Sequence, residues 1–404
     1  VATAPSSTPA RSADPRRVAL TVIRRVAEDG AYADRALHAD AAALDARDRA
    51  LAKRLAFGAI QMRGALDWVI DEHISRALDP PVRAALQLGL YQLLFTEIAD
   101  HAAVGETVEL VKPHPASKLV NAVLRAVQRD GVTWPDDVTP AGAAIQHSHP
   151  LWLVEMWWQW LGADEARALL AANNLAPERA LRVNTLVATE VDLAGTRDGD
   201  ALVVRDAIDL FRHPLYLDGA VTPQSRASQA VAIEVDPQPG ERILDLCAAP
   251  GGKTTHLAAL SQDCAEIVAV EAHQRRARTI EAQAHRLKAG SIRVVVGDAM
   301  DLAAIAAQLG GQFDRVLLDP PCTGLGTLQR HPDLRWRVSP DDPSRLALIQ
   351  QQMLQQARSV LRPGGRLVYS VCTLSAAEEL PMTHQRRFTP HADGTDGFYI
   401  GRDD

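Results

Sequence analysis

Between Arg16 and about Arg129, apolar residues recur every three or four positions, as in Val18-Ala19-Leu20, Val22-Ile23 and Val26, and again in Leu51, Leu55 and Ala59. That period belongs to helices with one buried face, and strand signal is almost absent, so a bundle of successive amphipathic helices is predicted. The stretch Gly131 to Pro150, holding Trp134-Pro135-Asp136-Asp137 and Thr139-Pro140, reads as a linker. Between Leu151 and about Pro239 the pattern changes to a Trp-rich helix (Trp152, Trp157, Trp158, Trp160) and a short strand at Leu181-Arg182-Val183-Asn184, a connecting subdomain. After Pro239-Gly240 apolar strands alternate with helical stretches. The strands are Arg242 to Cys247, Glu266 to Val270, Ile292 to Val296, Arg315 to Leu318 and Arg366 to Val371; the helices include Gln274 to Leu287 and Arg345 to Leu361. Such alternation predicts a mostly parallel sheet with helices on both faces and ligands beyond the carboxyl ends of its strands.

At 404 residues the chain exceeds what one hydrophobic core usually serves. The predicted organisation is a disordered tail over 1–15, a helical domain over 16–132, the connecting subdomain over 145–238 and an α/β domain over 239–404. With 47% apolar and 23% charged residues and no apolar run long enough to span a bilayer, the composition excludes a membrane protein. Val1 to Pro15, rich in Ala, Ser, Thr and Pro, has no apolar core of a signal peptide, so a cytoplasmic protein is expected. The net charge of −7 argues against an indiscriminately basic nucleic-acid binder, yet counterion release depends on a local basic face, so RNA stays open as a partner. Four cysteines occur, Cys247, Cys264, Cys322 and Cys372, without CxxC spacing, and no His pair has metal-ligand spacing; neither disulfides nor a metal are expected.

The run Ile243-Leu244-Asp245-Leu246-Cys247-Ala248-Ala249-Pro250-Gly251-Gly252-Lys253-Thr254-Thr255 reads as a strand, a turn of small residues and a helix start. Small residues let the backbone approach a ligand, and the N–H groups of a helix start suit a carboxylate or phosphate. A P-loop would need glycine where Cys247 stands, and no G-x-G-x-x-G follows the strand. An S-adenosylmethionine site remains. The next two strands end in Glu271, able to accept both hydroxyls of a ribose, and in Asp298, placed for an adenine amino group.

Two further strands run into Asp319-Pro320-Pro321-Cys322 and Ser370-Val371-Cys372-Thr373, each delivering a cysteine to the same sheet edge. A cysteine usually fills core space, the default for Cys264 and Cys247. At the other two positions the chemistry of carbon methylation gives a thiol work to do. C5 of cytosine is a poor nucleophile until a thiolate adds to C6, and an acid at N3, for which Asp319 is placed, drains the charge that develops. Pro320 and Pro321 stiffen the turn after Asp319. Methylation of an exocyclic nitrogen also uses an Asp-Pro-Pro turn but needs no cysteine and normally has an aromatic where Cys322 stands.

In these residues the chain resembles the RNA 5-methylcytosine methyltransferases typified by the bacterial RsmB (Sun, Fmu) protein, a family that acts on cytosine in RNA with S-adenosylmethionine. The stretches Cys247 to Lys253, Asp319 to Cys322 and Ser370 to Thr373 carry the resemblance. It implies Cys372 as the nucleophile, Cys322 as the group that helps break the enzyme–RNA adduct, Asp319 at N3 and Lys253 near the target base. It implies a cofactor cradle of Cys247, Ala248, Ala249, Pro250, Gly251, Gly252, Lys253 and Asp319, with Glu271 and Asp298 on ribose and adenine and Arg276 on the adjoining helix. Earlier in the chain, Phe57-Gly58, Leu88 to Leu94, His101 to Val104 and Val120 to Arg125 are similar to the RNA-binding fold of the antitermination factor NusB.

The combined resemblance implies a NusB-like all-α bundle followed by a Rossmann-like class I methyltransferase domain, a monomer, and a cytosine of 16S ribosomal RNA as substrate. Arg16, Arg17, Arg24 and Arg25 fall on one helix face that can meet phosphate. His273 departs from the family, where a second acid is usual. After Glu378-Glu379 the chain is shorter than the family pattern of a helix and a further strand, so either a surface loop is missing or the sheet is trimmed, although Gly394 to Ile400 fits the family's last strand. The segment Thr196 to Asp206 also looks short. The alternatives are a non-catalytic RNA-binding scaffold and methylation of another RNA such as tRNA.

Overall fold

The computed structural model describes residues 14–205 and 208–404. Of the predicted tail, residues 1–13 lie outside the described residues; Asp14 caps the first helix by accepting from Arg16 N at 2.9 Å, and Pro15 already begins it. The chain divides into two compact units, one running to Asn174 and taking in His331–Arg337, the other made of Leu175–Arg330 and Val338–Asp404. The segment expected as one connecting subdomain is thereby divided between them. No helix among the described residues is long and apolar enough to cross a membrane.

The second unit is a Rossmann-like α/β fold on a seven-stranded sheet, with a small sheet before it. Strands β1 (Ala180–Val183), β2 (Gly195–Asp198), β3 (Ala201–Val204) and β4 (Val221–Pro223) pair antiparallel in the order β2-β3-β1-β4. The short segment from Thr196 is thus a hairpin, closed by Gly199-Asp200. The large sheet contains β5 (Arg242–Leu246), β6 (Glu266–Glu271), β7 (Ile292–Val296), β8 (Phe313–Leu318), β9 (Leu361–Val371), β10 (His384–Phe388) and β11 (Phe398–Asp403), in the order β10-β11-β9-β8-β5-β6-β7. The five strands from β9 to β7 are parallel, and β11 and β10 are antiparallel additions at one edge.

The apolar runs are nearly continuous because both faces are covered, as parallel sheets require. Leu244, Leu246, Val316, Leu318, Leu367 and Tyr369 pack on one face with Met353, Leu354 and Ala357 of the helix Asp342–Ser359. The alternate residues Ile243, Ile267, Leu317 and Val368 pack on the other with Val231, Val235 and Leu257. The sheet is not trimmed. Where the family pattern has a helix after Glu378-Glu379, this chain passes from the 3-10 turn Ala376–Glu378 through residues 379–383, without a helix, into β10. Strand β9 also begins five residues before the predicted Arg366, because Leu361 already pairs with Phe313 and the Pro363-Gly364-Gly365 stretch is absorbed as a register shift. The preceding helix accordingly ends at Ser359 and not at Leu361.

The first unit is helical from Pro15 to Ala172. Its helices Pro15–Glu28, Ala46–Gln61, Arg63–His73, Pro80–Phe95 and Ser117–Asp130 share one core that includes Val22, Leu55, Leu66, Leu86 and Leu124. Gly58 is required where two of these helices meet, since a Cβ there would lie 1.9 Å from the Tyr91 ring. The predicted linker is not irregular throughout: Thr139 accepts from Gly142 N at 3.2 Å, Pro140 occupies the first turn, and Pro140–Gln146 is helical with Ala143 and Ala144 buried. Of the four arginines on the first helix, Arg16 donates to Gln92 Oε1 at 2.9 Å, Arg24 pairs with Glu28 at 2.8 Å and Arg25 with Asp40 at 2.9 Å. Arg17 is exposed.

Residues His331–Arg337, far along the sequence, complete this helical unit. Trp336 donates Nε1–H to Ile60 O at 2.6 Å. Arg335 is fully buried, and its guanidinium donates to Ser148 O at 3.0 Å, Asn174 Oδ1 at 3.0 Å and Asn173 O at 3.3 Å. Burial pushes Arg335 down to about 9. Removing its charge therefore relieves some desolvation, but it also opens a cavity and takes the donor from the Ser148 carbonyl. The second effect is larger: Arg335→Ala is expected to destabilise the helical unit by about 2–4 kcal/mol, read as a lower urea midpoint of the full chain.

Candidate active site

At the end of β5, Asp245 is buried and its Oδ2 accepts from Thr254 Oγ1 at 2.6 Å, which ties the strand to the helix Gly252–Leu260 across the turn. Burial pushes the Asp245 carboxyl up to about 7. Cys247 follows with φ of 62°, a left-handed conformation that costs a non-glycine residue roughly 1–3 kcal/mol and is held only where the surroundings dictate it. Here Ala248 N donates to Val270 O at 3.1 Å and locks the turn onto β6. Burial also pushes the Cys247 thiol up to about 12, so it stays a neutral, half-buried packing group. The helix that follows starts at Gly252 without a side-chain cap. Its first N–H groups are thereby left to a ligand or water.

Strands β6 and β7 end beside this turn. Glu271 is buried, accepts from His273 N at 3.0 Å and lies 3.5 Å from Arg276. Position 273 thus contributes its backbone N–H, which any residue supplies, and a second acid is not needed to orient Glu271. Arg276 is exposed on the helix Gln274–Arg286 and donates to Ala249 O at 3.2 Å, bracing the turn that holds Ala249, Pro250 and Gly251. Gly297 N donates to Glu271 O at 3.2 Å, and the exposed Asp298 accepts from Met300 N at 2.9 Å. Buried Glu271, exposed Asp298 and the uncapped helix start together suit a ligand with a diol, an amino-bearing ring and a carboxylate, the donor set of S-adenosylmethionine.

On the other side of β5, Asp319 at the end of β8 is the centre of a polar cluster. Its Oδ2 accepts from Lys253 Nζ at 2.6 Å and its Oδ1 from Ser370 Oγ, on β9, at 3.0 Å. The Lys253 side chain is 12% exposed, and its Nζ lies 5.2 Å from the centroid of the Phe398 ring at the start of β11. Burial alone would lower Lys253, but Asp319 outweighs it and the ammonium is held above its ordinary value. Cys322 and Cys372, from different strands, bring their sulfurs to 3.4 Å. The hydrogen bond shared with Cys372, and then burial, push the Cys322 thiol well above its usual range. Cys264, by contrast, is exposed and donates to Gln262 O, away from this cluster.

Two features here were not foreseen from the sequence. Glu378, in the 3-10 turn after β9, is fully buried and accepts from Thr323 N at 2.9 Å and Thr323 Oγ1 at 2.5 Å, directly after Cys322. Gly326 approaches the residue before Phe398 so closely that a Cβ would meet Gly397 O at 2.0 Å. Gly326 N donates to Cys372 O at 3.1 Å and Gly397 N to Gly326 O at 2.7 Å, so the loops after both cysteines and the start of β11 are stitched together. The only sequence trace of this is an acid a few residues past Ser370-Val371-Cys372-Thr373 and a glycine past Cys322.

Comparison with known proteins identifies the family. Residues 232–385 match the model described as 16S rRNA methyltransferase RsmB/F, residues 149–195 an RsmF/B-like ferredoxin-like domain, and residues 13–129 the NusB family. The chain is 30% identical to a probable ribosomal RNA small subunit methyltransferase B of Bacillus subtilis, with 95% of this chain and 97% of that protein covered. It is 33% identical to ribosomal RNA small subunit methyltransferase B of Erwinia tasmaniensis, covering 96% and 97%, and 37% identical to a putative methyltransferase of Mycobacterium tuberculosis, covering 91% and 85%. A solved structure titled PH0851 shares the fold over 98% of this chain and 99% of its own, with a TM-score of 0.78 at 24% identity. NSun6 from Pyrococcus horikoshii, titled as solved with SFG, shares it over 63% of this chain and 97% of its own, with a TM-score of 0.57 at 22% identity. On the strength of relatives matched over nearly their whole length, the chain belongs to the RsmB/F family of 16S rRNA methyltransferases, S-adenosylmethionine-dependent enzymes.

Proposed function

We propose that this protein methylates C5 of a cytosine in small-subunit ribosomal RNA through a covalent adduct between Cys372 and C6 of the base. The observation that carries this reading is the contact between two thiols, Cys322 and Cys372 at 3.4 Å, beside the Lys253–Asp319 pair at 2.6 Å. Nitrogen methylation has no use for such a pair. The names of the relatives, ribosomal RNA small subunit methyltransferases, supply the substrate class, and the NusB-like helical unit fits an RNA-binding role.

When bound, S-adenosylmethionine supplies an electrophilic methyl group. Glu271 and Asp298 hold the ribose and adenine, the Ala248-to-Gly252 turn lets the backbone approach the cofactor closely, and Arg276 keeps that turn in place. SFG, named with NSun6, is an analogue of the same cofactor.

Cys372 adds as thiolate to C6, forming the C–S bond and moving an electron pair toward C5 and N3. Asp319 serves N3, and the Lys253 ammonium behind it is the proton source, since both stand within one hydrogen bond of each other. Ser370 fixes the carboxylate plane from its other oxygen. Once C5 carries the methyl group, the N3 proton returns to Lys253; Cys322, having given its own proton to solvent, takes the C5 proton, that electron pair forms the C5–C6 double bond, and the Cys372–C6 bond breaks with its pair left on sulfur. Both sulfurs then regain their starting state after exchange of one proton with solvent.

Cys372→Ala is expected to reduce transfer of labelled methyl to protein-free small-subunit rRNA below about one part in a thousand, with cofactor binding by calorimetry unchanged. Full turnover by that variant would exclude Cys372 as nucleophile. Cys322→Ala is expected to accumulate a protein–RNA adduct that survives a denaturing gel, and the modified base, identified by mass spectrometry, is expected to be 5-methylcytosine in the wild-type reaction. Lys253→Met should lower kcat by about 10²–10⁴-fold, the span of general acid–base contributions, with the KM for RNA little changed.

A further inference from the structure

Each thiol of the pair is followed by a threonine, and both threonines reach the same buried carboxylate. Glu378 Oε2 accepts from Thr323 Oγ1 at 2.5 Å and from Thr373 Oγ1 at 3.3 Å, and the two hydroxyl oxygens are 2.6 Å apart. Glu378 Oε1 accepts from Thr323 N at 2.9 Å and from Gln350 Nε2 at 3.1 Å. Gln350 Nε2 in turn donates to Pro321 O at 2.9 Å, just ahead of Cys322, while Tyr369 OH lies 2.9 Å from Gln350 Oε1 and 2.8 Å from Glu378 O. The residues on both sides of Cys322, and the one after Cys372, thus converge on one group that is fully buried. It touches neither sulfur in any described hydrogen bond.

Burial raises the Glu378 carboxyl, and the bonds from Thr323 oppose that rise. Two partners of its oxygens, Thr323 N and Gln350 Nε2, can only donate, which suits an acceptor-only carboxylate, while the two threonine hydroxyls share their two protons among three contacts. An amide in its place has nearly the same shape but no charge, so it replaces the charge-assisted bonds from Thr323 and Thr373 with weaker neutral ones.

We propose that Glu378 is a positioning residue of the methyl transfer, which sets the separation of the Cys322 and Cys372 sulfurs by clamping Thr323 and Thr373 together. The division of labour between the cysteines rests on the function proposed above; the clamp itself does not. Nucleophile and proton acceptor have to meet C6 and C5 of one ring, and a displacement of about 1 Å from a reactive geometry costs on the order of 10²-fold in rate. The Cys322 loop has no regular structure to hold it, whereas Cys372 stands one residue beyond β9, so the shared buried anchor ties the free loop to the end of a strand.

The test uses the full chain and reads sulfur spacing without reference to activity. Diamide takes up the two electrons and two protons released when two thiols join, and the Cys322–Cys372 disulfide is mapped by peptide mass. Glu378→Gln is expected to slow that cross-link at least about tenfold and to lower kcat at least about tenfold, with cofactor affinity and the KM for RNA near wild type. If the Gln variant does not fold, Thr373→Val removes one arm and leaves the carboxylate bound to Thr323 and Gln350, with a slowing of about threefold expected. Cross-linking at the wild-type rate in whichever of these variants folds overturns the proposal. So does a fall in kcat that merely tracks a lower melting temperature while the cross-link rate stays unchanged. If the wild type cross-links readily but transfers no methyl group to rRNA, the clamp stands and the proposed reaction falls.

Discussion

A lysine taken out of water sets the geometry of the catalytic half of this molecule. An ammonium at 12% side-chain exposure loses several kcal/mol of hydration, and only close, well-aligned partners repay it. Lys253 stands in the first turn of the helix after β5, and its partner Asp319 ends β8, so the pair at 2.6 Å requires those two strands to be neighbours. Ser370 then takes the free oxygen of Asp319 from β9, and Phe398 offers its ring face from β11. Four consecutive strands of the sheet order β11-β9-β8-β5 thus converge on one buried charge. The ends of β6 and β7, on the other side of β5, are the proposed seat of the cofactor's adenosine. The reversal of strand order at β5 therefore divides the two tasks between the two sides of the sheet.

What the sequence makes legible follows from this division. The parallel strands are readable because both faces of each are covered: Leu244 and Ile243 face opposite cores, so polarity does not alternate and the run stands out. The paired cysteines, Cys322 and Cys372, are readable because each follows such a run by a few residues. Strand β10 is not readable, since His384, Gln385, Arg386 and Arg387 are all exposed and the strand owes its existence to pairing with β11 at the sheet edge. Charged residues there also protect the edge from further pairing. The same limit hides Glu378. A single acid in a turn carries no periodicity, and its meaning comes only from two threonines, at positions 323 and 373, that fold back to it.

The helical unit shows a different limit. Its amphipathic helices are plain from their period, yet residues 331–337, which finish it, lie within the catalytic sequence and look like an irregular charged loop. Arg335 and Trp336 read locally as surface residues. They are buried or half-buried where Arg335 donates to Ser148 O and Asn173 O and Trp336 to Ile60 O, carbonyls more than 150 positions away in the sequence. A long-range demand for hydrogen-bond donors has overridden what composition suggests.

The two thiols are equivalent by residue type, and their surroundings make them different. Cys322 is the sulfur that keeps its proton, because a hydrogen bond to Cys372 and burial both oppose its ionisation. A sulfur that keeps its proton cannot open an attack on C6, which is consistent with the proposed role of Cys372 as the nucleophile. On the proposed chemistry the restraint on Cys322 is also temporary. Once the Cys372 sulfur is bonded to carbon it bears no negative charge and is a much weaker acceptor, so the first cause of the rise in Cys322 is withdrawn. Cys322 then loses its proton more easily and becomes a base at the stage when C5 has a proton to give up. The contact at 3.4 Å thereby orders the two steps in time: the state of one sulfur decides when the other can act.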